Sequence, residues 1–221
     1  MSPELAETAS TFGQIQHRWK NCENCSLCET RTHVCNFRFL LNSFTGYLKI
    51  RPTKNADIRV EILFLGEAPG EVEDVHGLPF TGPSGHLLTK IVGVASDKFH
   101  KETGHRPPRM GVANIVGCYP MTDNQTRSPN KDEVKACRDR LLEVINAASP
   151  KFIVCLGASA KKFFPGGYDK AVKNFPFLSG VTATHHPAFA LRNESGNNDV
   201  EASIRTDILD TLRAWHASEG N

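Results

Sequence analysis

The chain has 221 residues with 39% hydrophobic content, enough for one domain with a core. A net charge of +2 excludes the strongly basic character of a protein that coats nucleic acid, while leaving room for a local basic patch. No apolar run reaches membrane-spanning length and the start, Met1 to Gln16, is polar, so neither a membrane contact nor a signal peptide is expected, and the chain is placed in the cytoplasm.

Residues 1–8 read as a loose end. Ser10 to Asn21 suits a short helix, with Ser10 as N-cap and Phe12, Ile15 and Trp19 sharing one face. A cysteine-rich segment follows, Cys22-Glu23-Asn24-Cys25-Ser26-Leu27-Cys28, and then residues 36–57 read as loop and hairpin, punctuated by Gly46 and Pro52. The first strand is expected over 59–65, an apolar run of the length of a buried parallel strand. It breaks at once into Gly66-Glu67-Ala68-Pro69-Gly70-Glu71-Val72-Glu73-Asp74, running on to Pro79-Phe80. A strand that ends in such a loop puts it at the carboxyl edge of the sheet, where open α/β folds place their ligand crevice. Gly66 and Gly70 let backbone N–H groups approach a flat or anionic ligand, and Phe80 offers a ring on a stiff backbone. The plainer reading is a solvated acidic connection.

A helix is expected from Pro83, with His86, Leu87, Leu88, Ile91 and Val92 as its stripe. Residues 96–110 read as a polar, basic connection. The second strand is expected over 112–116 and contains Asn114, a residue costly to bury unless its donor and acceptor are both used. A polar loop over 122–129 leads into a helix carrying Val134, Cys137, Leu141, Leu142, Val144 and Ile145. The third strand is expected over 152–156, followed by a short helix ending before Pro165. The fourth covers 181–184, and the loop Thr184-His185-His186-Pro187-Ala188-Phe189-Ala190-Leu191-Arg192-Asn193 follows it. After an Asn/Gly-rich turn at 193–198, Asp199 to Ala217 reads as a closing helix with Asp199 as N-cap. Strands alternating with helical patterns predict a three-layer α/β/α sandwich around a four-stranded, mainly parallel sheet. One domain spans 1–221, with the N-terminal helix and loose end in 1–20 and the metal-binding cysteines within 22–137.

Seven cysteines without a signal peptide read as metal ligands or free thiols rather than disulfides. Cys22-x2-Cys25 is half of a metal site, and Cys118 with Cys137 can supply the rest. Taken blind, four cysteines point to zinc first and to an iron–sulfur cluster second. Cys28 competes as a ligand, and Cys155, in an apolar strand, reads as a small buried hydrophobe.

The string from Gly66 to Gly82 resembles the first motif of the family 4, iron–sulfur uracil-DNA glycosylases, roughly G-E-x-P-G-E-x-E-D followed by G-x-P-F-x-G. His186, Pro187, Leu191 and Arg192 match the family's second motif, H-P-x-x-x-L-R. The likeness covers about residues 20 to 215. It implies the fold of that superfamily and a monofunctional enzyme of DNA repair that flips uracil from single- or double-stranded DNA and hydrolyses its N-glycosidic bond. It also implies a monomer and a [4Fe–4S] cluster on Cys22, Cys25, Cys118 and Cys137, with Arg31-Thr32 matching beside it; Tyr119 stands where the family often has Arg. The implied substrate pocket is Gly66, Glu67, Ala68, Gly70, Phe80, Asn114 and His186. Phe80 would stack on the flipped base, and Asn114 would read its Watson–Crick edge. Uracil leaves as an anion, stabilised by N–H groups of the Gly66–Glu71 loop together with His186 and Asn114. Glu71 is the candidate to orient water, because Ala68 stands where other uracil glycosylases have a water-activating Asp. Phe189 and Leu191 would wedge into the groove and Arg192 would contact DNA. Two other readings remain: a uracil-DNA binding protein with little turnover, and a zinc-stapled nucleic-acid module. The loop Thr122 to Arg127 has no His, which argues against a relative that traps the abasic product covalently.

Overall fold

A computed structural model describes residues 11–40, 57–123, 125–164, 171, 173–192 and 197–220. Outside these lie the loose end, Ser10, the turns at Gly46 and Pro52, Pro165 and residues 193–196. Seven strands occur among the described residues: β1 (Arg38–Leu40), β2 (Ile62–Gly66), β3 (Met110–Asn114), β4 (Met121–Thr122), β5 (Gln125–Thr126), β6 (Phe152–Leu156) and β7 (Gly180–Thr184). Eight α-helices accompany them: α1 (Phe12–Trp19), α2 (Glu71–His76), α3 (Pro83–Thr103), α4 (Lys131–Ala136), α5 (Arg138–Ala148), α6 (Gly157–Lys162), α7 (Pro187–Arg192) and α8 (Asn197–Glu219).

The sheet runs β1-β3-β2-β6-β7. The apolar runs become β2, β3 and β6, each buried along its whole length, as parallel strands covered on both faces must be. β2 pairs in parallel with β3 and β6, and β6 with β7. Side chains alternate across the sheet. Leu63, Leu65, Ile153 and Cys155 pack with Ile15 of α1, Leu141 and Val144 of α5 and Ala160 of α6. Ile62, Phe64, Val112 and Val154 pack on the other face with Leu88, Ile91 and Phe99 of α3 and Ile204 and Ile208 of α8. These are the three expected layers.

Several local expectations change. The sheet has five strands: β1 lies inside the segment read as loop and hairpin and pairs antiparallel with β3. The stretch 96–110 is no mere connection, because α3 continues to Thr103. Phe99 extends the stripe of Leu88, Ile91, Val92 and Ala95 into the core, and Gly104 ends the helix in the left-handed region at φ 74. The helix expected through Cys137 is two helices, broken at that residue. Thr11, in the N-cap position of α1, forms a capping box with Gln14. Asp199 lies in the first turn of α8 rather than at its cap. No described helix is long and apolar enough to cross a membrane.

Candidate active site

The carboxyl ends of β2 and β3 coincide, with Gly66 opposite Asn114 in the register. Two more backbone bonds extend the pairing, from Ile115 N–H to Gly66 O and from Val116 N–H to Glu67 O. Gly66 has to be glycine: a Cβ there would stand 2.4 Å from Asn114 Oδ1 and 2.6 Å from Phe80 Cζ. Asn114 is 2% exposed, and its Oδ1 has no hydrogen-bond partner among the described residues. Leaving such an acceptor unmet costs about 1–3 kcal/mol, so it marks a place where a donor is missing.

Phe80 closes the opposite side. Its backbone sits at φ 57, a strained conformation for a bulky residue. Arg38 of β1 holds it there, donating from Nε to Pro79 O at 2.9 Å and from Nη2 to Phe80 O at 2.6 Å. Gly85 is required as well, since a Cβ on it would lie 1.9 Å from Phe80 O. The Phe80 ring faces His186 at 6.0 Å between centroids, tilted by 32°.

His186 follows β7, and Pro187 starts α7 at the first helical position. The expected loop is therefore a short helix. Ala188 N–H donates to His186 Nδ1 at 3.1 Å, so in the neutral ring the proton sits on Nε2. Burial pushes the His186 pKa down, against the pull of the Glu67 carboxylate. Glu67 is itself held by the Ser159 hydroxyl at 2.8 Å. A cavity of about 490 Å³ borders His186, walled by Gly157, Lys161, Thr184, His185, Phe189 and Asp207. On α7, Ala190 is buried and anchors the helix, while Phe189, Leu191 and Arg192 face outward. Phe189 stacks on the exposed His185 at 5.5 Å.

The four carboxylates after β2 divide by job. Glu73 accepts from Gly70 N–H at 3.1 Å and Gly82 N–H at 2.7 Å, closing the loop. Asp74 accepts from Thr32 and His33 N–H and ties the N-terminal arm to α2. Glu67 faces the site, and Glu71 is exposed on the first turn of α2. The structure thus brings together Gly66, Glu67, Phe80, Asn114 and His186, and leaves Glu71 on the surface. Ala68 packs against the core. Arg38 and Ser159 escaped the sequence reading; Ser159 had a signal, since it follows the carboxyl end of a strand.

The cysteines gather beside this site. Trp19 Nε1 donates to Glu143 Oε2 at 2.6 Å and fixes α1 against α5. Arg31 Nη2 donates to Cys22 O at 2.8 Å. Cys137 Sγ accepts from Gly117 N–H at 3.3 Å and from Arg140 Nε at 3.1 Å. Burial raises the Cys25 pKa, as do the nearby thiols of Cys137 and Cys22. Cys118 is pushed up to about 12 by burial and then by Cys137, with Arg31 and Arg140 opposing. Among the described residues no three His, Cys, Asp or Glu side chains form a group that could hold one metal ion. The donor set of soft sulfurs, flanked by the guanidiniums of Arg31 and Arg140, nevertheless fits a thiolate-bound metal centre, whose negative charge the two cations would balance.

The model of the uracil DNA glycosylase superfamily matches residues 53–208. The type-4 uracil-DNA glycosylase of Thermotoga maritima is 33% identical over 201 residues, covering 88% of this chain and 89% of the relative. That of Sulfurisphaera tokodaii is 32% identical over 209 residues, covering 87% and 81%. Among solved structures, Pedobacter heparinus SMUG2 aligns over 96% of this chain and 99% of its own, at 15% identity and a TM-score of 0.46.

Proposed function

This chain belongs to the type-4 uracil-DNA glycosylases of the uracil DNA glycosylase superfamily, and from that premise we propose that it flips uracil out of DNA and hydrolyses the N-glycosidic bond, leaving an abasic site. The observation that carries this reading is the unpartnered, buried Asn114 Oδ1 set against Gly66 and Phe80. Uracil presents N3–H as a donor beside O4 as an acceptor. Asn114 can accept the first through Oδ1 and donate to the second through Nδ2, whereas cytosine reverses the pattern. Phe80 stacks on the base, and the glycine at position 66 lets the base edge approach the backbone.

Cleavage breaks the bond between C1′ and N1. The electron pair leaves with N1, and the negative charge spreads over the uracil ring. His186, neutral through burial and protonated on Nε2, donates to that charge, together with N–H groups of the Gly66–Glu71 loop. Water adds its oxygen to C1′ of the cationic sugar and releases a proton. Two carboxylates are candidates to orient that water. Glu71 has the freedom of an exposed side chain; Glu67 is held by Ser159 and acts on His186. Phe189, Leu191 and Arg192 would contact the DNA, the first two filling the space the base leaves.

Cys22, Cys25, Cys118 and Cys137 would hold a [4Fe–4S] cluster, which supplies a staple between the N-terminal arm and the sheet. Four soft sulfurs suit a cluster or one zinc ion, and the likeness to the type-4 enzymes favours the cluster over zinc. On this reading the enzyme works as a monomer inside the cell, on single- or double-stranded DNA.

The test uses anaerobically purified protein and a labelled oligonucleotide with one uracil, followed by alkali. Strand cleavage at uracil but not at thymine or cytosine, reduced about 10²–10³-fold in Asn114→Ala, is the expected result. Folded protein that binds the uracil strand without cleaving it would leave a binding protein instead.

A further inference from the structure

Arg140 is 1% exposed and heads the largest fully buried side chains of the described structure. It lies three residues after Cys137, one turn into α5. Its Nε donates to Cys137 Sγ at 3.1 Å. Its Nη2 donates to the backbone carbonyls of Asn114 and, at 3.0 Å, of Ile115. Its Nη1 is buried without a partner among the described residues. Gly117 makes the room, because a Cβ there would stand 2.8 Å from Arg140 Nε and 2.9 Å from its Cδ. A buried guanidinium needs counter-charge. Two carbonyls provide none, and the bonded sulfur of Cys137 ties the guanidinium to the four-cysteine site.

We propose that Arg140 is a positioning residue that transmits the filling of the four-cysteine site to Asn114. One edge of the guanidinium is held by Cys137; the same guanidinium holds the carbonyls at the end of β3. With the four cysteines fixed around a bound centre, Cys137 Sγ holds the guanidinium in place and β3 ends where Asn114 can read a base. With the site empty, the Cys137 side chain is no longer fixed, the guanidinium loses its anchor, and the end of β3 relaxes. This inference rests on the reading of Cys22, Cys25, Cys118 and Cys137 as cluster ligands.

The test compares the native chain with Arg140→Met, Arg140→Lys and Gly117→Ala, each as iron-loaded protein and after chelation. It follows iron per chain, reduction potential, amide exchange over residues 110–117, and kcat and KM on the uracil oligonucleotide. In the native chain, chelation speeds exchange over 112–117. Arg140→Met is expected to keep its iron, to exchange fast whether filled or empty, and to lose about 10–100-fold in kcat/KM. Its potential becomes more negative, since a cation beside a ligand sulfur is gone. Arg140→Lys keeps the charge and so the potential, but lacks the planar fork and leaves the strand end loose. Should Arg140→Met fail to fold, Gly117→Ala shows the milder version, because the added methyl pushes the guanidinium aside. A filled-minus-empty exchange difference that survives unchanged in Arg140→Met or Gly117→Ala overturns the proposal. Iron-free native protein would overturn the cluster reading itself, and iron-loaded native protein without uracil excision would overturn the activity while the exchange comparison still decides the coupling.

Discussion

Replacing Gly66 by alanine adds one methyl group where β2, β3 and the Phe80 loop meet. The new Cβ would lie 2.4 Å from Asn114 Oδ1 and 2.6 Å from Phe80 Cζ. Ordinary contact is about 3.5–4.0 Å, so the overlap is about 1 Å or more on two sides. Neither neighbour yields easily. Arg38 and the close approach of Gly85 pin the Phe80 backbone, and Arg140 pins the Asn114 carbonyl. Overpacking of this kind costs about 1–3 kcal/mol, which in a chain of this length lowers Tm by roughly 2–12 °C. A displacement of Asn114 by about 1 Å lowers kcat/KM by about 10²-fold. Thermal unfolding and uracil excision, measured on protein with native iron content, check both figures. Gly93→Ala is the control. A Cβ at Gly93, in α3, meets nothing within 4 Å. Alanine there is expected to stabilise by about 0.5–1 kcal/mol and leave excision unchanged. A Gly66→Ala enzyme with native kcat/KM and native Tm would refute the pocket as described.

Burial depresses the His186 pKa, so the neutral ring persists below the ordinary 6.5, and the acid limb of kcat/KM is expected under that value. Glu67→Gln removes the carboxylate that pulls the pKa up, so the limb should move further down; a limb that moves up would contradict the assignment. Stability carries the same sign. The unfolded chain binds the His186 proton first, so this contribution is full above 6.5 and is lost as pH falls through the depressed value. Arg192→Ala is expected to weaken DNA binding evenly across sequences and to reduce the salt slope by about 1, read from binding isotherms at several salt concentrations. Asp74→Asn weakens the bonds to Thr32 and His33 N–H and is expected to cost about 1–3 kcal/mol, with faster proteolysis of the N-terminal arm as its readout.

The sheet centre was legible because Ile62 to Leu65, Val112 with Ala113, and Phe152 to Leu156 are short apolar runs of the length of a strand buried on both faces, bounded by Gly or Pro. β1 was not, since three residues, Arg38-Phe39-Leu40, give no period to detect. α2 and α7 are six-residue helices that start after Gly70 and at Pro187, residues that read as loop until tertiary contacts fix them. α3 was cut short in the reading because Asp97, Lys98 and Lys101 hide the spacing of Ala95 and Phe99. Asn114 and Phe80 could be singled out by motif, but their approach over Gly66 depends on strand register, which sequence leaves open. Arg140 had a visible signal, a charge standing among Cys137, Leu141 and Val144, yet only the fold shows the two carbonyls that it serves.

The partners of the N-terminal arm lie far along the chain. Trp19 bonds Glu143 across 124 positions, and Ser26 bonds Glu133 across 107. At about 5–20 residues per second, synthesis separates Cys22 from Cys137 by roughly 6–23 s. Over that interval the arm has thiols but no scaffold to receive them. Such distant pairing slows closure, and it places assembly of the four-cysteine site late in folding, after the sheet has formed. A nascent chain ending before residue 137 therefore carries Cys22, Cys25 and Cys28 open to oxidants, so the yield of properly loaded protein should depend on how reducing the ribosome's surroundings are.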